Sequence, residues 1–569
     1  ILAQSIGGGG GNGGFSVAGA FNLGPAGIGV SVGGFGDGGG NGKAVEVDAY
    51  ANADHTVPGF GIYSIETEGD NSNGILAQSL GGGGGNGGFS GAGGFSAEGG
   101  AIGVSVGGFG AGGGTASTVS VTSINDILTM GDNSNGIAAQ SIGGGGGNGG
   151  FSFAGTVSVP EGNSFSMAAS LGGFGGTAGD AGTVTVDSTG WIETMGDHSD
   201  GVMAQSIGGG GGNGGLSVAG TFNFASENNV PSLTASVGGF GASAGSADDV
   251  KVTRHGATQT IGDDSNGILA QSIGGTGGNG GLSIAGSLGG PDAKQISASV
   301  GGFGGPGSGA GMVTVDNTGN ITTGSDTTVD IASYLANLFS GGTATDDQID
   351  ELRTELQDAG LPTTQTERTG EGSNGILAQS IGGGGGNGGF AFSGSVGPTG
   401  ENTSVNIGLT VGGFGGSGGT ADDVSVTNNG LITTFGDNAN GIAAQSIGGG
   451  GGNGGSALTG QIAAGDPQAG GRAVNVAASV GGFGGDGNTA GTVYVEQSGG
   501  IQTFGDGSNG IFAQSIGGGG GMGGGANSLS LQLASSCTFT LPFGLPKIGS
   551  CAAPKKPRDR KSTRLNSSH

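Results

Sequence analysis

Ile1-Leu2-Ala3-Gln4-Ser5-Ile6, followed by five glycines, Asn12 and two more glycines, is the stretch that decides how this chain is read. It returns seven times, with its glutamine at Gln78, Gln140, Gln205, Gln271, Gln379, Gln445 and Gln514. The asparagine that interrupts the glycines recurs at Asn86, Asn148, Asn213, Asn279, Asn387 and Asn453, and Met522 takes its place in the last copy. A short apolar strand that runs into glycines, eight times over, is the signature of a repeat architecture.

Of 569 residues, 152 are glycine and 13 are proline. Aperiodic glycine at that level would point to disorder, but apolar and polar residues alternate between the runs as in half-buried strands. Order through stacking is therefore expected, each unit leaning on its neighbours because glycine loses so much entropy on folding. The formal net charge is −28, and seven of the 14 basic residues lie in the last 23 positions. The repeat body is thus still more acidic, which excludes nucleic acid and anionic membranes as partners. Cys537 and Cys551 are the only cysteines, so the body has neither a disulfide scaffold nor a cysteine metal site. No run of about 20 apolar residues is present, and no transmembrane segment is expected.

A second anchor, Gly-Gly-Phe-Gly, places phenylalanines at Phe35, Phe109, Phe174, Phe240, Phe303, Phe414 and Phe483. From phenylalanine to the next glutamine the distance is 31 residues in five of seven units, whereas from glutamine to phenylalanine it drifts from 31 to 38. One arm is rigid and the other carries a variable loop. The rigid arm reads Val184-x-Val186, a turn at Gly190, Ile192-x-Thr194, a turn at Gly196-Asp197, then Val202 and the glutamine strand. Three short alternating strands predict one coil of a β-solenoid, and register fixes their length because a one-residue slip would turn every inward side chain outward. In the variable arm, Phe151 to Val159 and Phe165 to Leu171 flank Pro160-Glu161-Gly162-Asn163, which reads as a hairpin or a strand-arc-strand.

The fold predicted is all-β: a glycine-rich parallel β-helix or β-solenoid over 1–324 and 371–527, interrupted by one small αα-hairpin at 325–370. Twelve extra residues also interrupt the arm between Val47 and Ile65. In the helical insertion Ile331, Leu335, Leu338 and Phe339, then Ile349, Leu352 and Leu356, follow helical spacing. Its second helix has a Thr345-x-x-Gln348 capping box, with Gly360 and Pro362 as stop. Residues 528–569 read as a non-repeat tail whose basic end resembles adapter- or vector-derived read-through. The chain opens in mid-repeat, and the expectation is a piece of something longer.

Three columns are candidate sites. Asp70, Asp132, Asp197, Asp263, Asp437 and Asp506 each follow a turn glycine, with Glu371 in the remaining copy. Such a column suits either a calcium ladder or carboxylates that cap turn amides, and capping is the reading preferred. Calcium-binding nonapeptides want Gly-Gly-x-Gly-x-Asp in tandem, and only Gly481 to Asp486 fits, once. The glutamines suit an amide ladder, and the phenylalanines are expected to fill the core. Catalytic signals are weak: His55, His198 and His255 occupy unrelated positions, and the Gly-x-Ser-x-Gly matches at Ser243 and Ser417 lack a strand-turn-helix context. No catalytic residue, cofactor site or metal site is assigned.

The string from Val424 to Gly455, with Val424-x-Val426, Gly430-x-Ile432-x-Thr434, Gly436-Asp437, Gly441-Ile442 and Ala444-Gln445-Ser446-Ile447 before the glycines, resembles the glycine-rich passenger regions of bacterial autotransporters, the type V secreted surface proteins. The resemblance covers Ile1 to Gly525 apart from the helical insertion. It implies a right-handed β-helical passenger carried across the outer membrane by a C-terminal β-barrel translocator, which is not in this sequence. It also implies display at the cell surface, where a host-cell or matrix surface would be met. The function expected is a non-enzymatic surface stalk, adhesive or structural. The alternatives are a calcium-stabilised secreted solenoid and a carbohydrate-active β-helix enzyme with a carboxylate pair. A polyproline-II glycine bundle is the alternative fold, and the Val/Ile strands argue against it.

Overall fold

A computed structural model describes residues 1–534 except 25, 51–63, 160–164, 225–230, most of 331–344, 360–362 and 466–471. Each repeat is one complete coil. Gln4 pairs with Gln78, Gln78 with Gln140, Gln140 with Gln205, and so on in unbroken parallel register to Gln514. Five parallel sheets of seven or eight strands result, one strand from each coil. The expected β-solenoid is what the chain forms.

Three of the sheets enclose a triangular prism. They are the glutamine sheet (Leu2–Ile6 through Ile511–Ile516), the valine sheet (Val45–Ala49 through Val493–Gln497) and the isoleucine sheet (Ile65–Thr67 through Ile501–Thr503). Alternation sends Val184 and Val186, Ile192, Val202 and Ala204 inward, where they join one continuous apolar core with their equivalents in the other coils. Each buried Val or Ile contributes roughly 1.5–3 kcal/mol. The outward positions of the valine and isoleucine strands carry charges such as Asp187, Glu193 and Lys251.

The glycine runs leave the prism side by side and form a neck. In the first run Gly7, Gly10 and Gly13 donate to Leu80, Gly83 and Asn86 of the next coil at 2.7–2.8 Å. In the second run Gly33, Gly36 and Gly39 donate to Val106, Phe109 and Gly112. The runs also bind each other, Gly34 to Gly14, Asp37 to Gly11 and Gly40 to Gly8. Every set recurs at each third residue, the period of a polyproline-II helix. The glycine bundle set aside from the sequence is therefore present, welded to the solenoid it was weighed against.

A Cβ on Gly212 would lie 2.0 Å from the Gly147 carbonyl oxygen, whereas one on Gly210 meets nothing nearer than 3.8 Å. Two positions of three in the first run are closed by neighbouring backbone and the third faces outward. Asn12, Thr276 and Met522, the non-glycine residues of these runs, all stand at the outward position. There Asn12 Oδ1 accepts the backbone N–H of Asn86, Asn86 that of Asn148, and Asn453 that of Met522. The asparagine satisfies a donor that the lattice leaves over.

Beyond the neck two further sheets form a blade. The front sheet runs from Ser16–Asn22 to Ala526–Ala534 and the back sheet from Ala26–Val32 to Ala473–Val480. The variable arm is thus a strand-arc-strand, its two strands belonging to different sheets. Its tip at Pro160 to Asn163 lies outside the described residues, as does the insertion at 51–63. The front sheet extends to Ala534, so strand pairing runs past the expected boundary at 527.

The larger insertion rises between Gly324 (φ 73°) and Gly370 (φ 86°), on an antiparallel ribbon of Asp326–Asp330 with Thr364–Arg368. Its helix α1 (Asp346–Asp358) is capped as expected, Thr345 N–H donating to Gln348 Oε1 at 2.9 Å. Of the first helical stretch only Ala332 and Leu335 are described, both helical; Ile331, Leu338 and Phe339 lie outside. Among the described residues no helix is long and apolar enough to cross a membrane.

Candidate functional surface

The blade inverts the usual distribution. Its interior is lined by hydroxyls and small residues: Ser105 Oγ bonds Ser90 Oγ at 2.8 Å, Ser152 bonds Ser170 at 2.7 Å, Ser217 bonds Ser236 at 2.8 Å and Ser393 bonds Thr410 at 2.7 Å. The apolar members of the same strands face outward. On the back sheet Ile28, Val30 and Val32 stand over Ile102, Val104 and Val106, and this carpet continues to Val476, Ala478 and Val480. On the front sheet of interior coils Phe153 is 49% and Phe222 45% exposed. Among the described strands of these two sheets Lys294 is the single charged residue. Contiguous apolar surface of this extent is rare on a free monomer.

The reason for the inversion lies in the neck. An added Cβ on Gly29 of the back sheet would come within 2.4 Å of the Gly93 carbonyl oxygen, and one on Gly27 within 2.3 Å of Phe95 O. At these positions the runs hold the two sheets so close that only glycine fits, and the long side chains between the sheets are Gln295 and Gln461, both fully buried. Ala, Ser and Thr line most of the gap, while Phe and Val of the same strands face outward.

The phenylalanine column follows the same logic and corrects the expectation that it fills the core. Phe109, Phe174, Phe240, Phe303 and Phe414 are half-buried on the outer side of the second glycine run. Successive rings stack with centroids 4.7–4.9 Å apart and planes within 4° of parallel. Phe35 and Phe483, at the two ends, tilt to 50° and 41° against their neighbours. The ladder extends the apolar face of the back sheet.

The glutamine column stands on the outer face of the glutamine sheet. Gln78 Nε2 donates to Gln140 Oε1 at 2.6 Å, Gln140 to Gln205 at 2.8 Å and Gln205 to Gln271 at 2.7 Å, an amide ladder that continues through Gln379 and Gln445 to Gln514. The aspartate column lies at the corner between the isoleucine and glutamine sheets. Asp132 Oδ1 accepts the Asp197 N–H at 3.0 Å, Asp197 Oδ1 that of Asp263 at 2.9 Å, and Asp437 Oδ1 that of Asp506 at 2.7 Å. The next residue adopts positive φ, as at Asn133 (55°), His198 (53°) and Asn438 (55°). These carboxylates cap the turn of the following coil. Among the described residues no three His, Cys, Asp or Glu side chains converge.

Three buried ionisable groups escaped the sequence reading: Asp200, Arg254 and Asp292, whose carboxylate accepts the Gly400 N–H at 2.8 Å. The corner also carries an amide ladder, Asn73, Asn135, Asn266, Asn374, Asn440 and Asn509, with Asp200 in the third place. Burial pushes the Asp200 carboxyl up to about 6, against the hydrogen bonds from the Asn266 side chain and backbone, which lower it. Asn135 Oδ1 accepts the Asp200 N–H at 2.8 Å but finds no amide donor on the carboxylate. Arg254 is fully buried in the prism. Its Nε donates to Thr258 Oγ1 at 3.0 Å and a terminal nitrogen donates to Ala257 O at 2.6 Å. Desolvation brings its pKa down to about 10. Thr258 stands where other coils have isoleucine, which leaves the guanidinium room. Both departures become visible only once the coils are aligned residue by residue.

Comparison with known protein families, curated proteins and solved structures finds no match for this chain.

Proposed function

We propose that this chain is a non-enzymatic stalk, displayed outside the cell as the passenger of a bacterial autotransporter, that adheres through the apolar surface of its blade. The observation that carries the reading is the separation of charge. A chain of net charge −28 keeps two whole sheets and a phenylalanine ladder almost free of charge and turned outward. Burying such surface against an apolar partner yields roughly 25 cal/mol per Å², without the desolvation of ionic groups that a charged face would impose. The uniform coil supports the structural half of the proposal, since every coil repeats the bonds of the last. The motif resemblance supports the location, with a β-barrel outside this sequence as anchor and a host-cell or matrix surface as the partner.

The test is adsorption of the full chain to methyl-terminated and hydroxyl-terminated surfaces at low salt and at about 1 M salt, where charge contacts are screened. Selective retention on the methyl surface at both salt levels is expected. The variant Phe174→Ser/Phe240→Ser/Phe303→Ser, altered only on the outward ladder, should weaken that retention while the sheets keep the remainder. Equal adsorption to both surfaces, or adsorption abolished by salt, rejects the reading.

A further inference from the structure

The front sheet of the blade differs from the back sheet in relief. Its outward residues form three columns along the solenoid axis. One apolar ridge includes Val17, Phe153 and Phe392 and the other Phe21, Phe95 and Phe222. Between the ridges runs a floor without side chains from Gly19 to Gly460, one glycine in each of seven successive coils. At two of every three positions in the neck glycine is forced by a crowding backbone, as at Gly212. Here a Cβ at Gly19, Gly93, Gly286 or Gly460 would meet nothing within 4 Å. At Gly155 and Gly394 the rings of Phe153 and Phe392 already lean over the floor, at 3.2 and 3.3 Å from such a Cβ. An apolar side chain arriving from outside would rest in the same way.

We infer that a second copy of this chain docks on the front sheet, the ridge of each copy seated in the channel of the other. Three observations choose this occupant. The first is area: eight strands about 4.8 Å apart and seven residues of about 3.3 Å each make a face of ~700–800 Å². Two such faces bury about 1,500 Å², which a stable interface of standard size requires. The second is charge. None of the front-sheet strands carries a charged residue, so a charged partner would find nothing to pair with. Asp187, Glu193 and the aspartate column sit on the prism, so contact at the blade leaves the acidic surfaces of two copies apart. The third is shape. A ridge beside a channel is complementary to itself under a two-fold rotation, and the strand spacing of the two copies is identical, so a fit made at one coil recurs along the face except where Gly91 gaps one ridge and Leu529 fills the channel in the last coil.

This inference does not depend on the adhesive reading, whose test alters the phenylalanine column and leaves the front sheet intact. Its own test is sedimentation equilibrium of the full chain from about 1 to 100 µM, which reaches the weak end of the affinities that interfaces of this size span. Twice the chain mass of 53.0 kDa is expected at the upper end. The variant Gly93→Leu/Gly286→Leu fills the channel where the fold has open space. It should keep the wild-type melting curve by circular dichroism and weaken self-association at least ~100-fold, although its apolar surface has grown. A wild type that stays monomeric overturns the inference. So does a folded variant that associates as well or better, because non-specific stickiness would follow area and not shape. Dimers dissolved by Val104→Asn on the back sheet but not by the channel variant would also overturn it.

Discussion

The prism and the blade are threaded by the same chain, use the same alternating strands, and bury opposite halves of them. In the prism Val184, Val186 and Ile192 point in while Asp187 and Glu193 point out. In the blade of the same coil Ser152, Ala154, Thr156 and Ser158 point in while Phe153 and Val157 point out. The prism is closed by turns that let three sheets stand apart around large side chains. The blade is pinned by two glycine runs bonded at every third residue, and at Gly27 and Gly29 its sheets meet nearly backbone to backbone. The inside of a sheet pair is thus decided here by the gap and not by hydropathy. Hydroxyls go in because they are small and can bond one another across the gap, as Ser217 and Ser236 do. Burying them costs little when they are paired.

The neck enforces the difference, and breaking it gives the largest effect expected. Gly212→Ala places a methyl 2.0 Å from the Gly147 carbonyl, and separating those strands should cost roughly 3 kcal/mol or more. Gly210→Ala, two residues earlier and outward-facing, should leave the stability within about 0.5 kcal/mol. Thermal melting of the pair by circular dichroism decides; equal midpoints would mean that the glycine lattice is not what sets the gap.

The same apolar deletion made on the two sides sharpens the contrast. Ile192→Ala empties a core position that is 1% exposed, and a loss of about 2–5 kcal/mol in urea unfolding is expected. Phe153→Ala removes a larger side chain from the outside of the blade, 49% exposed, and should cost about 1 kcal/mol or less. If Phe153 proved the costlier, the blade would have to be packed from outside in the free protein.

Asp200 tests the rule from the other direction, a polar group that the prism holds at a cost. Its carboxyl is raised from 3.8 to about 6 in the folded chain. The folded state therefore holds the proton more tightly than the unfolded one. Stability is highest below pH 4 on this account, falls as pH rises from about 4 to 6, and is flat above. A shift of about 2 units corresponds to ~3 kcal/mol at neutral pH. Asp200→Asn completes the amide ladder, so it should raise the stability by about that amount at pH 7.5 and hardly at all at pH 4. A gain equal at both pH values would reject burial of charge as the cause.

Much of this was legible in the residues. The glutamine spacing located every coil, the constant 31-residue arm announced strands in register, and Thr345 with Gln348 marked the helix start. What stayed hidden had physical reasons. A glycine run has no side chains whose periodicity could be read, so its three-residue order showed only in backbone bonds, although Thr276 and Met522 mark the one open face. Alternation in Ser217-Val218-Ala219-Gly220-Thr221-Phe222 separates two faces without saying which is inside, and hydropathy names the wrong one. The phenylalanine column was assigned to the core for the same reason. Asp200 and Arg254 each occur once, and a motif read for what recurs passes over them.

Because one repeat is one coil, and each coil offers its neighbours the same bonds, the repeat is also a unit of length. Duplication or loss of a whole repeat by recombination between near-identical stretches moves the far end of the rod by a single strand spacing, about 4.8 Å. The junction it leaves is Gln on Gln, as at every other, and at most positions Asn on Asn and Ile on Ile. A gene of this kind can lengthen or shorten its product in fixed increments while each intermediate still folds, and the 62 to 108 residues between successive glutamines show that insertions are absorbed sideways without disturbing that measure.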